Sequence, residues 1–94
     1  MSIFLEELRL NPQSFLIANS VLNIYGPDAE AYLHSQTTNN VLNLADGEFQ
    51  FNAILDISGK IISAFILCKK NKSEFYIFID NKYLERTYLI FFEI

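Results

Sequence analysis

Three alternating apolar runs separated by turn signals constrain the fold of this chain more than any other feature. Phe49, Phe51, Ala53 and Leu55 alternate with Gln50, Asn52 and Ile54. A period of two sends successive side chains to opposite faces, so this run reads as a strand with one buried face, the Phe row inward. Asp56-Ile57-Ser58-Gly59-Lys60 reads as a turn and Ile61–Cys68 as a longer apolar strand, which makes 49–68 a hairpin. Lys69–Ser73 reads as a second turn. Glu74–Asp80 is then a third strand, with Phe75, Ile77 and Ile79 set against Tyr76, Phe78 and Asp80.

The residues before this region mix strand and helix signals. Residues 3–9 form a short helical or extended lead-in that Asn11-Pro12 breaks. Phe15–Ala18 and Val21–Tyr25 are short apolar runs of strand type around a turn at Asn19-Ser20. Gly26-Pro27-Asp28 is a helix start, because Pro lacks an N–H that the first helical turn leaves unpaired in any case. Asp28 and Glu30 bring negative charge to the positive end of the helix dipole. Ala29, Tyr32, Leu33 and Gln36 follow at helical spacing. Thr37-Thr38-Asn39-Asn40 breaks the helix. Val41, Leu42 and Leu44 are expected to form one more helical turn, which Asp46-Gly47 ends. After the third strand a helix is expected from Asn81 through Tyr88. The order predicts an α+β fold, an antiparallel β meander with helices packed on one side, in a single domain over 1–94.

Composition narrows the classes of function. The chain has 94 residues, 51% of them apolar and 19% charged, so it is globular rather than disordered. Nine Phe and five Tyr are many for a small core, and some are expected to face a partner. A net charge of −4 argues against nucleic acid as a partner, since phosphate binding needs a basic face. Lys69, Lys70 and Lys72 are the one basic cluster and are expected in a solvated turn. No apolar run approaches the ~20 residues of a membrane span, and the start MSIFLEEL lacks the pattern of a secretory signal, so a cytoplasmic location is expected. The end, Leu89-Ile90-Phe91-Phe92-Glu93-Ile94, reads as an element cut short, so the domain is expected to be truncated.

The residues offer little catalytic chemistry. Cys68 and His34 are the single cysteine and histidine, so one Cys–His pair is formally available, but Cys68 lies mid-strand among apolar neighbours. The carboxylates are scattered and supply no metal cluster. Gly26, Gly47 and Gly59 form no phosphate-binding loop. Asp56 at the hairpin turn is explained by a turn-forming role. Asn71-Lys72-Ser73 matches a glycosylation sequon by chance.

Two segments carry a family resemblance. The run Gly26-Pro27-Asp28-Ala29-Glu30-Ala31-Tyr32-Leu33-His34-Ser35-Gln36-Thr37-Thr38-Asn39-Asn40-Val41, with Leu44 and Gly47 after it, resembles the G-x-D-A-x-x-F-L-x-x-Q-x-T-N-D-V signature of the YgfZ / aminomethyltransferase family. Leu55-Asp56-Ile57-Ser58-Gly59-Lys60-Ile61 resembles the same family's L-[DN]-x-x-G-[KR]-[VI] hairpin, at a fitting distance. The two place nearly the whole chain, Phe15 to Tyr88, in the first part of the GcvT-like folate-binding fold.

The resemblance implies a ligand and a branch. Family members hold tetrahydrofolate in a central channel ringed by three domains, of which this chain supplies the first part. The glycine-cleavage T-protein transfers a one-carbon unit and relies on an acidic pair after the hairpin motif. Ser63 and Ala64 stand at those positions here, and neither carries a charge, so an aminomethyltransferase remnant is the less favoured alternative. YgfZ-type proteins also lack the acidic pair. Their role is to support iron–sulfur cluster assembly or repair, which makes iron–sulfur proteins implied partners and a missing C-terminal half another. Their K-G-C-Y-x-G-Q-E signature does not occur here, and Asn19 stands where they often carry a Trp. Phe51 falls where T-proteins often carry a Tyr beside the pterin ring, so it is the candidate cofactor-binding residue; the competing reading is an inward strand residue. A further alternative is a non-enzymatic interaction domain that needs a partner.

Overall fold

The computed structural model describes residues 2–7 and 20–92, with side chains from 20 to 91. The elements run β1 (Ser2–Glu7), β2 (Ser20–Tyr25), α1 (Ala29–Gln36), β3 (Phe49–Leu55), β4 (Ile61–Asn71), β5 (Glu74–Ile79) and α2 (Asn81–Phe92). The fold is α+β, as the order of periodicities predicts. All five strands join one antiparallel sheet in the order β1-β2-β5-β4-β3. Strands β3, β4 and β5 form the expected meander. Strand β2 then pairs with β5 instead of extending the meander from its start, Leu22 lying opposite Ile77 and Ile24 opposite Phe75. The connection through α1 therefore carries the chain from β2 across to the far edge.

One face of the sheet packs under both helices. Leu22, Ile24, Phe65, Leu67, Phe75, Ile77 and Ile79 are buried there with Ala29 and Leu33 of α1 and Phe91 of α2. The Phe91 ring meets Tyr32 at 5.9 Å and Phe65 at 6.5 Å, both edge-to-face, which is the favoured arrangement of aromatic quadrupoles. Asp80 immediately precedes α2, and its Oδ1 accepts the Lys82 N–H at 2.9 Å, a donor the helix itself leaves free. The expected helical turn at Val41 is a single tight turn, Leu44 N–H to Val41 O at 3.1 Å, which buries Val41 and Leu44 and leaves Leu42 out.

Several expectations are corrected. The lead-in is extended, one of its two expected forms, as a strand from Ser2 to Glu7 paired with β2. Strand β4 continues past Cys68 to Asn71, so the turn shrinks to 72–73. Lys69 is 9% exposed, and its Nζ donates to Glu30 Oε2 at 2.7 Å and to Leu44 O at 3.1 Å. It is a buried cation, not a solvated one. Lys70 pairs with Glu74 at 3.5 Å, and Lys72 alone keeps the expected exposed turn position. The phase of β3 is the reverse of the expected one: Asn52 and Ile54 are buried, while Phe49 and Phe51 point outward. The runs Asn11-Pro12 and Phe15–Ala18, and Asn19, lie outside the described residues.

Candidate functional site

The first family-like segment folds against β3, the strand that leads into the second. Helix α1 ends where Thr37 turns extended, with its N–H and hydroxyl both donating to Leu33 O, at 3.1 and 2.7 Å. Residues 37–40 then run along β3. Thr38 N–H donates to Ala53 O at 3.0 Å and Asn39 Nδ2 to Phe51 O at 3.0 Å, so they occupy outward carbonyls of what is otherwise an open sheet edge. Asn52 holds the segment from beneath. Its Oδ1 accepts from Asn39 N–H at 3.0 Å, and its Nδ2 donates to the Thr37 hydroxyl at 2.8 Å and to Gln50 Oε1 at 2.9 Å. Asn40 Oδ1 accepts the Asn43 N–H at 3.2 Å, which makes it a turn former. These polar groups hold each other.

The second segment is the β3–β4 turn. Asp56 Oδ1 accepts the Ser58 N–H at 2.8 Å, the Ser58 hydroxyl at 2.7 Å and the Lys60 N–H at 2.9 Å. The Ser58 hydroxyl and then the Lys60 N–H hold the Asp56 carboxyl below its ordinary pKa. Gly59 sits at φ +88°, the left-handed region that a side chain disfavours. The turn role expected of Asp56 is the one it plays.

Phe51 stands between these segments on the face of the sheet opposite the helices, and it is 81% exposed. It is therefore not an inward strand residue. Its cross-strand partner is Ile66, and the neighbouring pair on that face is Phe49 with Cys68. Phe49 and Phe78 bring their rings to 6.0 Å. Alternation of one apolar and one polar phase does not reveal this second apolar face, although the aromatic excess points to exposed rings. Its signal was present in Ala64, Ile66, Tyr76 and Phe78, which leave neither phase of β4 or β5 polar.

The remaining candidates are kept apart. Cys68 alternates with buried Leu67 and Lys69 and so lies on the open face, where burial pushes its thiol pKa up. His34 lies on α1, on the other side of the sheet, and its Nδ1 accepts the Val41 N–H at 3.2 Å. The sheet separates the two, and no Cys–His pair forms. Ser63 is fully buried on the helix face, its hydroxyl bonded to that of Thr87, whereas Ala64 is half-buried on the open face. These two residues therefore point to opposite sides of the sheet. Among the described residues no group of three or more His, Cys, Asp or Glu side chains is placed to hold a metal ion. An open hollow of about 580 Å³ lies at the end of β2 and β5, beside Tyr25, Pro27, Ser73 and Glu74, and does not include Phe51. No helix among the described residues is long and apolar enough to cross a membrane.

No protein-family model matches the chain. A stretch of 64 residues, 68% of the chain, is 31% identical to an uncharacterized protein of Haemophilus influenzae. The match spans 23% of that protein, so this chain is similar to roughly a quarter of a longer relative.

Proposed function

We propose that this chain is a folate-binding module of YgfZ type, acting in the cytoplasm in support of iron–sulfur enzymes and not as a catalyst by itself. The observation that carries the reading is the seating of the first family-like segment along β3, the strand that runs into the second, with the Phe51 ring set out on the opposite, apolar face. A flat heterocycle stacks on such a ring at little cost in ordering, because an aromatic side chain has few torsions to fix. The β3–β4 face offers one wall for it, and a second wall has to come from further polypeptide. Transfer chemistry is disfavoured because Ser63 lies in the core and Ala64 has no ionisable group.

Calorimetric titration of tetrahydrofolate tests the reading, on the chain as it stands and on a form extended by its natural partner sequence. Binding by the extended form that Phe51→Ala weakens at least about tenfold supports it. An extended form that takes no tetrahydrofolate at millimolar concentration sinks it. A second reading, a domain that works by docking on another polypeptide, is favoured by the same outward Phe row.

A further inference from the structure

We infer that this chain pairs with a second copy of itself, through the open face of β3 and β4. The apolar band on that face runs down to the hairpin turn. Phe49 is 62% exposed, Phe51 81%, Leu55 42%, Ile61 61%, and Ile57 at the turn fully so. A Phe side chain presents about 200 Å², so the two Phe rings together leave roughly 290 Å² in water. The three aliphatic side chains bring the band past about 600 Å², the upper end for the largest apolar patch on a typical monomer. Two such bands in contact remove on the order of 1,200 Å² from water, enough for a specific interface.

Charge selects the occupant. A partner that brings an unpaired charge onto this band loses more in desolvation than the apolar contact returns. The band's own surface meets the requirement: the five side chains above are all apolar, and so are Ile66 and Ala64 beside them. A two-fold contact sets the band against itself, sheet on sheet, with every residue meeting its symmetry-related neighbourhood. The alternative of joining edges is blocked on β3, because Thr38 and Asn39 already occupy the carbonyls of Ala53 and Phe51. At this end of the sheet the copies therefore meet by faces, not edges.

Sedimentation velocity on the purified chain, from a few micromolar to about 200 µM, tests the pairing. The expected result is a monomer–dimer equilibrium with a micromolar dissociation constant. Ile61→Asp and Phe49→Asp should each weaken it at least about 30-fold, the effect of an interface hot spot. Both positions are exposed, so the far-UV circular dichroism of each variant should match the parent. A monomer throughout the range overturns the inference. So does a dimer, or a larger aggregate, that both variants leave intact. The inference does not rest on folate binding: Ile61 has no part in the proposed folate contact, while Phe51 is shared, so loss of pairing in Ile61→Asp with ligand binding kept or strengthened separates the two.

Discussion

Asn52 is the residue whose removal should cost the candidate site most. Its amide is 5% exposed and makes five hydrogen bonds shared among residues 37–39, Gln50 and Ala53. Each such bond contributes about 1 kcal/mol net, because folding exchanges it for one with water. In Asn52→Ala the exposed Thr38 and Asn39 groups recover water, while the half-buried Thr37 hydroxyl does so only in part. The expected loss is therefore about 2–3 kcal/mol, roughly half the nominal sum. For a domain of this size that lowers Tm by roughly 10–20 °C. Urea unfolding followed by circular dichroism measures it. Thr38→Val, which removes one exposed bond of 3.3 Å, should stay within about 0.5 kcal/mol of the parent. A cycle pairing Asn52→Ala with Thr37→Val should show coupling of about 0.5–1 kcal/mol across their 2.8 Å contact. A loss below about 0.5 kcal/mol for Asn52→Ala, or no coupling in the cycle, would refute the claim that this amide holds the segment to β3.

Three further outcomes follow from the same contacts. Lys69→Met leaves the Glu30 carboxylate, whose side chain is only 15% exposed, without its partner, and should destabilise by about 3 kcal/mol; adding Glu30→Gln should restore part of that in urea unfolding. The Asp56 carboxyl should titrate below 3.8 by NMR, and since its folded pKa is depressed, its contribution is complete above that value and fades as the pH falls through the folded pKa. Cys68 should alkylate more slowly than a free thiol at neutral pH, because burial raises its pKa and lowers the thiolate fraction; a rate equal to that of a free thiol would contradict its placement.

Strand and helix identities were legible wherever local periodicity or turn chemistry decided them. Asp56-Ile57-Ser58-Gly59-Lys60 announces its turn, and Gly26-Pro27-Asp28 announces α1, because in each the cause lies within five residues. Where the cause lies far along the chain, local sequence does not show it. Lys69 looked solvated because its partner Glu30 is 39 residues away. The meander looked complete because nothing in β5 announces that β2 will pair with it. Strand β3 came out in reverse phase because hydropathy favours Phe inside, whereas Asn52 is needed beneath residues 37–39 and brings its own partners. That reversal also decided the candidate site: Phe51 was picked out by resemblance, but its exposure follows from the Asn52 contacts.

The measurement closest to the central claim is a ¹⁵N–¹H NMR titration with tetrahydrofolate of the form extended by its natural partner sequence, carrying Ile61→Asp to keep it unpaired. The expected result is binding with shifts centred on Phe51 and its neighbours Phe49, Ala53 and Ile66 and abolished by Phe51→Ala, and little or no binding by the 94 residues alone. Shifts centred instead on the hollow beside Tyr25 and Glu74, or none on β3 at about 10 mM ligand, would contradict it.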